Sequence, residues 1–122
     1  MSVEELAGLG KVTKEIEPLK GFKIKIHSLT VAEEEEIYKA LSKLPDDPLV
    51  RTSNLQIETL SRAIESINNV AFYEVNELKN HLRKLQRHVL STLWEAFIKE
   101  VEENSLKEIG DLKKNSEQPT RD

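Results

Sequence analysis

The side chains of this chain with chemistry to offer are three histidines, a run of four glutamates, an aspartate pair and a short basic row. His81 and His88 lie seven positions apart. On one helix that spacing gives them a similar face but about 10 Å of axial separation, too far to share a metal ion. His27 sits among alternating apolar and charged residues, and no HExxH pair is present, so each histidine reads as a surface side chain. Glu33, Glu34, Glu35 and Glu36 bring carboxylates without a neutral ligand. Such a run suits the first turns of a helix, where the dipole favours negative charge. Asp46 and Asp47 lack calcium-loop spacing. The four glycines build neither a phosphate cradle nor a dinucleotide turn, and no nucleophile elbow occurs. The absence of cysteine excludes disulfides and thiolate metal sites. The sequence therefore reads as a non-enzyme, with no catalytic, cofactor-binding or metal-binding residues and no cofactor.

The basic row is Lys79, Arg83, Lys84 and Arg87. Steps of four place Lys79, Arg83 and Arg87 in line along a helix. Phosphate is one partner for such a row. However, the row is short, has no interleaved aromatics, and belongs to a chain with 18 Lys and Arg against 22 Asp and Glu, net charge −4. Binding to nucleic acid is not expected of that balance, and an acidic protein surface or plain solvent suits the row better. It remains the one feature behind an alternative reading, a host-type adaptor or regulatory protein with weak nucleic-acid contact.

The elements that position these residues follow from composition and periodicity. A chain of 122 residues, 38% apolar and 33% charged, suits one domain with a modest core. Aromatics are scarce, so Leu, Ile, Val and Ala must fill that core. No apolar run approaches the ~20 residues of a membrane span, and no secretion signal opens the chain. Cytosolic synthesis is the expectation, with no membrane partner.

Residues 1–19 read as an N-terminal arm, either a weak helix or an extended segment that docks on a partner. Phe22, Ile24 and Ile26 alternate with Lys23, Lys25 and His27, which predicts a strand at 21–29. A lone strand cannot satisfy its backbone groups, so it must pair with the arm, a later segment or another chain. Thr30 and Glu33 form a capping-box pattern opening a helix at 30–44, with a stop at Pro45 and a turn through Asp46, Asp47 and Pro48. Ile57, Leu60, Ala63, Ile64 and Ile67 predict a second helix at 56–67. A third and longest helix is expected at 74–103. The expected fold is thus α+β and mostly α, with three main helices and a small N-terminal strand element. Residues 20–103 form the single helical domain, and 104–122 a polar C-terminal extension.

Past Val89 the third helix broadens its apolar pattern. Leu90, Leu93, Trp94, Phe97, Ile98 and Val101, with Val89, cover about half its circumference at 100° per residue. Either this is a central core helix, or part of the arc receives a partner. The expected protein-binding residues are Phe22, Ile24 and Ile26 for strand pairing, and Leu90, Trp94, Phe97, Ile98 and Val101 for helix docking. Trp94 is the favoured anchor.

The stretches FKIKIHSLT, TVAEEEEIYKAL and RTSNLQIETLSRAIESINN, in that order before a long helix, resemble small assembly proteins of tailed bacteriophages: tail assembly chaperones and baseplate hub subunits. LSRAIESINN is similar to their L-x-x-x-I-x-x-I-(N/D)-G stretch, with Asn69 where the glycine stands. The likeness spans about residues 20–100. It implies binding of other tail or baseplate proteins without catalysis, the tape-measure protein among them for a chaperone, with self-association left open. It also implies work in the host cytoplasm during assembly and, for a hub subunit, residence in the virion tail or baseplate.

Overall fold

In the computed structural model, which describes residues 2–116, a short helix α1 (Val3–Gly8) precedes a hairpin of β1 (Thr13–Leu19) and β2 (Phe22–His27). Helices α2 (Val31–Leu41) and α3 (Pro48–Ala63) follow, then a second hairpin of β3 (Ile64–Ile67) and β4 (Val70–Ala71). After it come α4 (Val75–Arg83), α5 (Arg87–Phe97), a π-helical turn at Ile98–Glu102, and α6 (Glu103–Ser116). The strands form one antiparallel sheet in the order β1-β2-β3-β4.

The alternation in β2 explains how this sheet is used. Ile24 and Ile26 turn inward, each 2% exposed, while Lys23 and Lys25 face out. Ile24 lies opposite Ile16 on β1 and Ile67 on β3. The inward face meets Leu60 of α3, Leu78 and Leu82 of α4, and Leu90, Leu93 and Phe97 of α5 in a single core. Pro18 falls on the edge strand β1, where its missing amide costs no interior ladder bond, and the β1–β2 register shifts between Ile16 and Leu19.

Turn chemistry joins the strands. Gly21 takes φ +87 between β1 and β2. Between β3 and β4, Asn68 and Asn69 take φ of 50 and 67, the left-handed pair that suits a two-residue hairpin turn. Asn68 also ties that turn to β2: its amide donates to the Lys23 carbonyl at 2.7 Å, and its Oδ1 accepts from the Lys23 amide at 2.8 Å.

This architecture corrects the expectation of three helices and one strand element. The segment 13–19, read as part of an arm, is a strand paired within the chain, and β2 gains a second partner in β3. The helix expected at 30–44 ends at Leu41. Its start is capped by Thr30, whose Oγ1 accepts from the Glu33 amide at 3.2 Å, while Glu33 Oε1 accepts from the Thr30 amide at 2.8 Å.

The helix expected at 56–67 begins eight positions earlier, because Asp47 and Pro48 are an N-cap and a first helical residue rather than a turn. Asp47 Oδ1 accepts from the amides of Leu49 and Val50 at 2.9 and 3.2 Å. That helix stops at Ala63, since Ile64 leaves for β3 with φ −80 and ψ 119. Spacing of three between Ile64 and Ile67 fits a helix or the two ends of a short strand equally well.

The helix expected at 74–103 is broken. Lys84 ends α4, and Gln86, extended at ψ 151, starts α5. Helix then continues to Ser116 through the region read as a polar extension, of which 117–122 lie outside the described residues.

The left-handed turn yields a stability test. Replacing Asn69 with Gly should hold or slightly raise stability in urea unfolding, whereas Asn69→Val should lower it by about 1–2 kcal/mol, the cost of forcing a side chain into the left-handed region. Equal effects of the two would remove the conformational reading of this turn.

Candidate functional site

The corner between α4 and α5 borders an apolar opening in the surface. A cleft of about 510 Å³ lies between this corner and the β1–β2 hairpin. Ile24 and Ile67 contribute from the sheet, Leu78, Leu82 and Leu93 from the helices, and Leu19, Phe22, Leu85 and Val89 complete the walls. Lys20 and His81 are the only lining residues whose side chains end in a polar group. Phe22 is 51% exposed and Leu85 37% exposed, so two large apolar side chains stand open to solvent at this cleft. Cavities of this size and character hold small molecules or inserted side chains.

The residues expected to bind a partner separate into two groups. Ile24 and Ile26 are core, and the pairing predicted for their strand is made internally by β1 and β3. Leu90, Phe97 and Val101 are also core, Val101 with no exposed surface at all. The broad arc is needed because α3 and the sheet both pack on this part of the chain. Trp94 and Ile98 are partly buried against the same core, and Trp94 lies 5.7 Å from Phe97 between ring centroids. Ile24, Ile26, Leu90, Phe97 and Val101 are therefore core positions rather than an open docking surface, whereas Trp94 and Ile98 keep part of their surface. Of the named residues, Phe22 is the one placed openly at the cleft. Leu85 and Val89 line the cleft with it.

The basic row does not survive as a row. Lys79 Nζ donates to Glu58 Oε2 at 2.7 Å, Arg83 Nη2 to Asn54 Oδ1 at 3.2 Å, and Arg87 Nη2 to Ser53 Oγ at 2.8 Å. The break at residues 84–86 also puts Arg87 on a different helix from Lys79 and Arg83. Three of the cations thus fasten α4 and α5 to α3.

Glu58, which the sequence did not single out, is the centre of this fastening. It is 4% exposed, and its carboxylate also accepts from Arg62 Nη1 at 2.7 Å; Arg62 Nε reaches Glu36 Oε1 at 3.1 Å. The network links α2, α3 and α4. Burial pushes the Glu58 carboxyl up, but the bonds from Lys79 and Arg62 outweigh it and hold the group below its ordinary value of 4.5.

A second, smaller cavity of about 140 Å³ lies beside Trp94, Phe97 and Ile98, with Leu29, Ile37 and Tyr38 across from them. Glu34 and Glu102 also line it. Burial, and then the charge of Glu34, push the Glu102 carboxyl above 4.5. The two acids stand without a histidine in that lining, and no group of three or more metal-binding side chains exists among the described residues. No described helix is long and apolar enough to cross a membrane.

The two shifted carboxyls act oppositely on stability. Glu102 takes up its proton above 4.5 in the folded state, so folding gains as pH falls toward that value. Glu58 contributes fully above 4.5 and loses its contribution as pH falls through its lower folded value. Glu58→Gln should cost about 3 kcal/mol at neutral pH by stranding Lys79 and Arg62, and should flatten the acid limb of a melting-temperature profile. An unchanged acid limb in the variant would remove Glu58 as its origin. No protein family, no curated protein and no solved structure matches this chain.

Proposed function

We propose that this protein is a non-enzymatic assembly or structural protein of a bacteriophage tail or baseplate, which works by seating apolar side chains of another polypeptide in the cleft between the first hairpin and the α4–α5 corner. The observation that carries the binding role is the cleft itself: about 510 Å³, walled almost entirely by apolar side chains, with Phe22 and Leu85 held open to water. Exposed apolar surface gathered around a concavity carries a hydration cost that a partner removes. Isolated exposed leucines need no such account; a contiguous set around a cavity does.

The tail or baseplate assignment rests on the likeness of residues 20–100 to phage assembly proteins. Asn69 departs from the N-G pattern of those proteins, but its φ of 67 is a conformation glycine adopts freely, so the departure is compatible with the same turn. Partners are other tail or baseplate proteins, the tape-measure protein among them. The working place is the host cytoplasm during assembly, and for a retained subunit the virion.

The test uses Phe22→Asp combined with Leu85→Asp. Both residues are exposed, so the double variant should keep the helical signal and stay within a few degrees of the parent melting temperature, about 1 kcal/mol. Affinity capture from infected cells, read by mass spectrometry, should recover tail or baseplate proteins with the parent chain and lose them with the variant. Equal recovery by both chains, or recovery of other classes of protein only, would overturn the proposal.

A further inference from the structure

Each copy of this chain carries an apolar socket at one end of its first hairpin and an apolar helix without packing at the other. Every residue from Ser2 to Leu9 is exposed, and α1 contributes no buried side chain. Val3 and Leu6 lie one turn apart on α1, 79% and 61% exposed, and Leu9 follows at its end. A helix of six residues does not persist in water on its own. Yet this one is closed by a full capping box: Ser2 Oγ accepts from the Glu5 amide at 3.1 Å, and Glu5 Oε1 accepts from the Ser2 amide at 3.2 Å. Its sequence is committed to a helix whose apolar side, at Val3 and Leu6, has no cover among the described residues.

The charges of the two surfaces are opposite. The cleft lining holds one charged side chain, Lys20, and no carboxylate. α1 holds Glu4 and Glu5 and no basic residue. Apolar character matches on both sides, and opposite charge sets orientation and suppresses wrong partners.

Position rules out a cleft filled by its own helix. The β1–β2 ladder runs from Thr13 opposite His27 to Leu19 opposite Phe22, a span of about 20 Å at ~3.3 Å per residue. The cleft lies at the Leu19–Phe22 end. α1 is held at the other end, where the Val12 amide donates to Ser28 Oγ at 2.9 Å and the Ser28 amide to the Val12 carbonyl at 2.8 Å. Gly10 lies so near α6 that a Cβ there would stand 3.2 Å from Ile109 Cδ1, and Ala7 to Gly10 share a recess with His27 to Thr30.

We infer that α1 of one copy docks in the cleft of a second copy, with Val3, Leu6 and Leu9 against Phe22, Leu85 and Val89, and with Glu4 and Glu5 toward Lys20. This rests on the cleft being a polypeptide-binding site. Because helix and socket are different surfaces at opposite ends, the contact is head-to-tail. A pair still has one free socket and one free helix, so association continues into a ring or a filament.

Sedimentation equilibrium of the full chain from about 10 μM to about 1 mM covers the range expected of so small an interface. The average mass should climb above the 14.0 kDa monomer with concentration. Leu6→Asp and Phe22→Asp, both at exposed positions, should each weaken association at least tenfold with unchanged circular dichroism. An equal mixture of these two variants should recover a one-to-one dimer and nothing larger, since one supplies the socket and the other the helix. Lys20→Glu should weaken association, and adding a chain with Glu4→Lys, which leaves the capping box of Ser2 and Glu5 intact, should restore it. A wild-type chain that stays monomeric throughout, or variants whose mixture stays monomeric, would overturn the inference. A monomeric chain that still captures tail proteins through the cleft overturns the head-to-tail contact alone, whereas self-association by this route with no tail protein captured supports it and overturns the tail assignment alone.

Discussion

Everything in this fold leans on β2. Ile24 and Ile26 are the only two residues of that strand fully withdrawn from water, and each also sits in a backbone ladder with β1 on one side and β3 on the other. The two requirements reinforce each other. Pairing on both edges satisfies the strand's polar backbone, which lets its apolar face be buried without unmade hydrogen bonds. Burial in turn gives α3, α4 and α5 a common surface to pack on. Remove the side chains and the helices lose their shared floor; remove the pairing and the floor cannot be dry.

The charged network at Glu58 adds specificity to that apolar association. Hydrophobic contact alone is tolerant of sliding, whereas a buried carboxylate held by Lys79 and Arg62 accepts only one placement of α4 against α3. Arg83 and Arg87 extend the same fastening toward solvent. With α4 fixed in this way and α5 turned away from it at residues 84–86, Leu85 and Val89 line the cleft and Phe22 stays half exposed. The open cleft is thus a by-product of how firmly the rest is held.

Local chemistry was legible in the sequence and long-range choice was not. Thr30 and Glu33 announce a helix start because the hydroxyl, the amides and the carboxylate involved lie within three residues of one another. The Ile and Lys alternation at 22–26 marks a half-buried strand for the same reason. By contrast, Thr13 to Leu19 carries a proline and a bulge, which hide its strand character until β2 is there to pair with it. Ile64 and Ile67 leave a helix for the sheet only because β2 has a second edge to fill. The break after Lys84 has neither proline nor glycine to signal it. Phe22 was named from its alternation, but its open place at a cleft depends on Leu85 and Val89, 63 and 67 positions away. Glu58 could have been noticed as an acid between Ile57 and Leu60 on the buried side of α3; nothing in the sequence says that Lys79 will meet it.

Helices α1, α2 and α3 each begin with a side chain bonded to a first-turn amide, while α4 and α5 begin at Glu74 and Gln86 with none. The joint between these last two is therefore closed mainly by backbone bonds, among them Val89 and Leu90 amides to the Gln86 carbonyl at 3.0 and 3.1 Å. One wall of the cleft is cut from two helices meeting at this uncapped corner, and the opposite wall is a laddered sheet. A guest is consequently met by two unlike surfaces: separate side chains staggered around a bend on one side, and the regular two-residue repeat of a strand on the other.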